Sequence, residues 1–239
     1  DSAAAVGFRV AVRAGDSNMA RMTLDAFASR IADALGPRLV TLLLYGSGAR
    51  EPGAGSLEPE SMNTLLIADR VDGDLFARLA EPVRAWAKAK HPPPLILTEQ
   101  EWRESTDAFP IEYEDMRDAH RVLAGRDPWH GIRIDRADVR RQLEQELVGK
   151  LMHLRQAFAA EWHSPKRLAE AVRATRSGFL TMVRAVLRLA GRRVPAEPEA
   201  LMREAGALIG FSFSDEPAAY LDAVTRTAEY VNNMERKAP

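Results

Sequence analysis

The stretch LVTLLLYGSGAREPGAGSLEPESMNTLL, residues 39–66, is the segment from which the rest of the chain is best read. An apolar run from Leu39 to Leu44 ends in Tyr45-Gly46-Ser47-Gly48-Ala49-Arg50. The run is short, continuous and apolar, which predicts a buried strand. A Gly-, Pro- and Glu-rich loop follows, and then a second apolar run, Leu65-Leu66-Ile67-Ala68. Gly46 and Gly48 allow a tight turn and close backbone approach. Ser47 stands where a helix or turn begins, so the stretch is either an ordinary strand-to-helix turn or one whose Ser47 hydroxyl and nearby N–H groups face a phosphate.

Helices and strands alternate around this unit. Thr23 is a predicted N-cap, with Leu24, Phe27, Ile31 and Leu35 at helical spacing and Gly36-Pro37 as the stop. Asp74 to Lys90 reads as a helix with Leu75, Leu79, Val83 and Trp86 on one stripe, closed by His91-Pro92-Pro93-Pro94. Leu95-Ile96-Leu97 is a third short strand, and Thr98 with Glu101 forms a capping box for a short helix. The alternation in Ile111-Glu112-Tyr113-Glu114 predicts a further strand with one polar face. Upstream, Phe8 to Arg13 alternates as a short edge strand, or belongs to sequence ahead of a natural start at Met22. The first residues lack the charged and apolar regions of a signal peptide.

From Asp135 the period changes to that of long helices. Val139, Leu143, Leu147, Leu151, Leu154 and Phe158 recur at three and four. Pro165 opens a second helix to Gly191, and two more follow over Glu199–Ile209 and Glu216–Glu235. Short connections predict an up-down bundle. The expected fold class is α+β: a mixed sheet flanked by helices, then a helical bundle. The expected division is 1–22 as an N-terminal extension, 23–134 as the sheet domain and 135–239 as the bundle.

Composition narrows the function classes. Thirty-three basic residues balance 34 acidic ones, so no global field draws the chain to nucleic acid or to an anionic membrane. The absence of cysteine excludes disulfides, thiolate metal sites and a cysteine nucleophile, and fits the cytoplasm. No apolar run approaches the ~20 residues needed to span a bilayer. The Ala-, Arg-, Gly- and Pro-rich usage makes a GC-rich bacterial genome an expectation. The five histidines lack metal-ligand spacing, and there is no G-x-S-x-G, P-loop or G-x-G-x-x-G motif.

The strand, the Gly46-Ser47 turn, the small-small-basic continuation Gly48-Ala49-Arg50 and the second strand together resemble the nucleotidyltransferase superfamily, the fold of polymerase beta and of the aminoglycoside nucleotidyltransferases. Several bacterial members carry a helical bundle behind the catalytic domain, as expected here. The resemblance implies an NTP with magnesium as cofactor, held by an Asp-x-Asp pair on the second strand and a third carboxylate on a later one. The family's Ser-Asp-x-Asp segment falls on Ser61-Met62-Asn63-Thr64, so the first acid is Met62 and the second is Thr64. Magnesium prefers hard oxygen ligands, and a thioether and a neutral hydroxyl replace two of its three anions. The nearest acids, Glu58, Glu60 and Asp69, do not restore the pair.

Glu112, Glu114 and Asp115 lie where the resemblance puts the third carboxylate, and Glu112 and Asp115 are the catalytic candidates. The second bundle helix carries Lys166, Arg173, Arg176, Arg184 and Arg188 on one side, extended by Arg192 and Arg193. This edge is read as phosphate-binding if it faces the cleft between domains, since Arg grips phosphate through two N–H groups. The candidate ligand-binding residues are therefore Gly46, Ser47, Arg50, Thr64, Arg173 and Arg184, with no metal ligands. The first expectation is a catalytically degenerate nucleotidyltransferase-fold protein that binds a nucleotide or small phosphate ligand, with a protein partner at the bundle as a further expectation. The second is an active transferase that moves a nucleotidyl group to a hydroxyl through an atypical metal site at Glu112 or Asp115.

Overall fold

The computed structural model describes residues 22–50, 62–214 and 216–234. The strand expected over residues 8–13 and the loop over 51–60, with Glu58 and Glu60, lie outside the described residues. Helix α1 (Leu24–Leu35) starts on Thr23, whose hydroxyl accepts from the Ala26 N–H at 3.2 Å. Strand β1 (Leu39–Tyr45) leads into a single helical turn, α2 (Ser47–Arg50), and β2 (Asn63–Ala68) returns beside it. Helix α3 (Gly73–Lys88), β3 (Leu95–Thr98), α4 (Glu99–Glu104), α5 (Pro110–Asp118) and β4 (His120–Gly125) complete the first part. The capping box of Thr98 and Glu101 is formed at the start of α4.

The chain is α+β, with a mixed four-stranded sheet of order β3-β2-β1-β4. Strand β1 is antiparallel to β2, with Leu44 opposite Thr64, and antiparallel to β4, with Tyr45 opposite His120. Strands β2 and β3 are parallel. Side chains alternate across a strand, so the continuous apolar runs feed both faces. Leu42, Leu44, Met62, Leu66 and Ala68 pack with Leu24, Phe27, Ile31 of α1 and Leu75, Leu79, Trp86 of α3. Leu43, Leu65 and Ile67 pack on the other face with Trp102, Tyr113, Met116 and Ile132.

The strand expected over Ile111–Glu114 is instead helix α5, with Pro110 in its first turn. Residues two apart on a helix point about 200° apart. Ile111 accordingly joins the core of the C-terminal helices, while Tyr113 joins the sheet core. A helix buried on two opposite sides imitates the alternation of a strand. The strand beside β1 is β4, whose half-exposed HRVLAG sequence gives no clean alternation.

The C-terminal region is helical: α6 (Arg136–Glu161), α7 (Pro165–Leu189), α8 (Pro198–Ile209) and α9 (Pro217–Asn232). Its core joins Val139, Leu143 and Leu147 of α6, Phe179, Val183 and Val186 of α7, Leu201 of α8, and Tyr220 and Val224 of α9. The Lys150 ammonium, placed for an i,i+4 pair with Glu146, donates instead to the Thr175 carbonyl of α7 at 3.2 Å. Because Ile111 belongs to this core too, α5 is the element on which the sheet and the helical region meet. No helix among the described residues is long and apolar enough to cross a membrane.

Gly125 ends β4 with φ 83°, and a Cβ there would lie 2.3 Å from the Val40 carbonyl oxygen. Gly125→Ala is expected to lower stability by roughly 3 kcal/mol, from left-handed strain and backbone collision together. Urea unfolding followed by circular dichroism measures it. Gly149→Ala, with open space at its Cβ position, is the comparison.

Candidate functional site

The end of β1 delivers the Gly46-Ser47 turn to the junction between sheet and bundle. Gly46 adopts φ 77°, a conformation that glycine takes without steric cost. Its N–H donates to the Ala119 carbonyl at 3.0 Å, so this amide is already engaged within the protein. Ser47 is exposed at the start of α2, and one turn on, Arg50 reaches towards α5. An Arg50 Nη2 hydrogen donates to Asp115 Oδ1 at 2.8 Å.

Helix α7 approaches the same point from the other side. Arg188 Nη2 donates to the same Asp115 oxygen at 3.1 Å, and Arg188 Nε donates to Asp118 Oδ2 at 2.6 Å. Asp115 therefore clamps α2 and α7 together, with its side chain only 15% exposed. Glu114 stands 3.9 Å from Arg188 Nη1, too far for a hydrogen bond. Burial pushes the Glu114 carboxyl above the ordinary carboxylate range, and the Arg188 charge offsets only part of that.

Arg184 lies one helical turn before Arg188 and is 9% exposed. Its Nε is buried with no hydrogen-bond partner among the described residues, and no carboxylate there bonds its guanidinium. Burial, and then the charge of Arg50, lower its pKa, with Asp115 acting against them and Arg188 adding to them. Burying an ion costs several kcal/mol unless a partner of opposite charge compensates it. These side chains surround a cavity of about 410 Å³. Ala49 and Arg50 come from α2, Asp118 from α5, Arg184 and Arg188 from α7, and Val194-Pro195-Ala196 from the α7–α8 connection. Three guanidinium groups at one concave surface suit a small anion.

The sequence candidates divide on this geometry. Arg50 and Arg184 meet at the cavity, with Ser47 and Gly46 on the adjoining turn. Thr64 does not line it. It is 1% exposed opposite Leu44, and its Oγ1 has no hydrogen-bond partner among the described residues. Arg173 is exposed on α7, eleven residues before Arg184 and so about 16 Å away along the axis. The expected basic edge of α7 is thus two surfaces: α5 covers its C-terminal half, while Lys166 and Arg173 stay in solvent. Arg176 sits over the Phe213 ring at 5.8 Å, and Arg192 and Arg193 are exposed.

The acid candidates also take places other than those expected. Glu112 faces Gln142 of α6, whose Nε2 donates to Glu112 Oε2 at 2.9 Å. Burial raises the Glu112 pKa, and its charge adds to the burial that pushes the Tyr45 hydroxyl up to about 12. Asp115 is the counterion of two arginines. Arg188, read from the sequence only as part of the basic edge, completes the cavity together with Asp118 and the residue 194–196 connection, neither of which the sequence singled out. Arg188 shares the helical face of Arg184, and that spacing was the available signal. Nothing local marks 194–196, which arrive by the chain reversal after α7.

No protein-family model matches the chain. No curated protein matches it. Among solved structures, it is similar to the spectinomycin adenyltransferase AAD(9) from Enterococcus faecialis, crystallised with ATP and spectinomycin. The two are 13% identical with a TM-score of 0.42, over 85% of this chain and 97% of that one.

Proposed function

We propose that this is a nucleotidyltransferase-like protein, degenerate in its transfer chemistry, that binds a nucleotide or another phosphate-bearing ligand where α2, α5 and α7 meet. In this reading residues 23–134 are the transferase-like domain, 135–239 are the bundle, and the ligand lies in the cleft between them. Arg184 is the observation that carries it: a buried guanidinium that bonds no carboxylate among the described residues, on the wall of a cavity shared with Arg50 and Arg188.

The donors among the described residues do not fit the paired magnesium ions of the family that the sequence resembles. Met62 packs in the apolar cluster of α1 and α3, and Thr64 is buried and neutral. Asp115 and Asp118 are hydrogen-bonded to arginines, and Glu112 to Gln142. Hard divalent cations need clustered oxygen donors with free lone pairs. Among the described residues no group of three or more His, Cys, Asp or Glu is arranged to hold a metal. The alternative, a working transferase with a metal at Glu112 or Asp115, has no such observation in its favour.

Titration calorimetry with ATP, GTP, CTP, UTP and inorganic phosphate, each with magnesium and with EDTA, tests the reading. Heat and a thermal shift are expected with at least one of them, both lost in Arg184→Gln. Absence of both signals for every phosphate compound removes the proposal.

A further inference from the structure

We infer that the cleft takes a single phosphate group, a phosphate monoester with a compact aliphatic body, bound directly by Arg184 without a divalent cation. This rests on the phosphate-binding reading above and narrows its ligand class.

The count of guanidinium groups against carboxylates leads there. Arg50 and Arg188 share one oxygen of Asp115, and Arg188 also takes Asp118, with Glu114 3.9 Å from its Nη1, so all three acids stand against Arg50 and Arg188. Arg184 is the guanidinium in the cavity without a carboxylate among the described residues, and it is more than nine-tenths buried. A guanidinium held by no carboxylate can take one phosphate, through two parallel N–H···O bonds. A di- or triphosphate would bring further anionic oxygens past Asp118, which lines the same wall, where Arg50 and Arg188 already hold carboxylates. Unneutralised anions near a carboxylate repel it more strongly in a partly buried site than in water.

The other walls point the same way. Ala49, Val194, Pro195 and Ala196 offer small apolar surfaces, and among the described residues no aromatic ring lines the cavity for a base to stack on. At about 410 Å³ the space is near the lower end of small-molecule sites. Arg184 supplies fixed positive charge of the kind a magnesium ion would otherwise supply, so magnesium has no role in the contact. By sequestering the free ligand, magnesium is expected to weaken binding slightly.

Calorimetric titrations of glycerol 3-phosphate, inorganic phosphate, tripolyphosphate and ATP, in EDTA and in excess magnesium, decide it. Glycerol 3-phosphate is expected to bind in EDTA and about tenfold or more tighter than tripolyphosphate or ATP, a factor well resolved by such titrations. Arg184→Gln is expected to lose that binding, Arg184→Lys to retain part of it without the fork, and Arg203→Gln on α8 to leave it unchanged. Circular dichroism melts establish that each variant is folded. ATP binding that is tighter than glycerol 3-phosphate and disappears in EDTA would overturn this inference and leave the phosphate-binding reading standing. Silence from all four compounds would overturn both.

Discussion

Arg184→Met is expected to stabilise the ligand-free protein while abolishing its phosphate binding. The side chain is 9% exposed, its Nε has no partner among the described residues, and the nearby Arg50 and Arg188 add like charge that Asp115 offsets only in part. In the unfolded chain the same guanidinium is fully hydrated. Folding therefore removes an ion from water with no carboxylate of the described residues bonded to it, a cost that methionine of similar length does not carry. Replacing buried ionic groups with apolar ones has been worth about 1–4 kcal/mol. A gain of about 2 kcal/mol corresponds to a rise in melting temperature on the order of 6 °C in a chain of this size. Calorimetric melting of both proteins without ligand reads the effect. A lower midpoint for the variant would mean that Arg184 has a structural partner in the folded protein and is no open site. The expected pattern, stability gained as function is lost, is the usual mark of a binding residue kept against its own energetic interest.

The second large effect is expected at the positions where the resemblance puts the acids. Met62→Asp and Thr64→Asp place carboxylates at positions 8% and 1% exposed, and Met62 belongs to the cluster of Leu24, Phe27, Leu44 and Leu75. Each is expected to destabilise by roughly 3–5 kcal/mol, because an unpaired carboxylate must either stay charged in apolar surroundings or take up a proton. The double variant is expected to be largely unfolded, with no stabilisation by magnesium and no nucleotidyl transfer. Thr64→Val is the informative control. It removes a buried hydroxyl without a partner among the described residues, so it is expected to be neutral or stabilising. Melting each variant with EDTA and with excess magnesium separates the outcomes. A magnesium-dependent rise in the midpoint of the double variant would show that the two aspartates recreate a metal site. The degenerate reading would then describe a recent loss in an otherwise intact cradle.

What the sequence made legible was mostly local. Thr23 announces α1 and Thr98 announces α4, because a capping hydroxyl acts on N–H groups three residues away. The run Leu39–Leu44 identifies a strand buried on both faces, since such a strand has no polar side to show. Helix α5 was not legible, because its burial is divided between two cores that meet only in three dimensions. The same applies to the cleft. Spacing on α7 groups Arg184 and Arg188, and the Gly46-Ser47 turn draws attention to Arg50. That α5 covers one half of the α7 face and leaves Arg173 in water depends on tertiary packing. Asp115 read as a catalytic candidate from the place the resemblance gives a third carboxylate. Its role as the shared counterion of Arg50 and Arg188 appears only once α2 and α7 are brought together.

The most direct test is a crystal structure of the protein soaked with glycerol 3-phosphate in EDTA. Phosphate density is expected within hydrogen-bond distance of the Arg184 guanidinium, beside Arg50 and Arg188, with no cation bridging it to the protein. Phosphate seated instead over Met62 and Thr64 through a divalent ion, with Arg184 untouched, would contradict it.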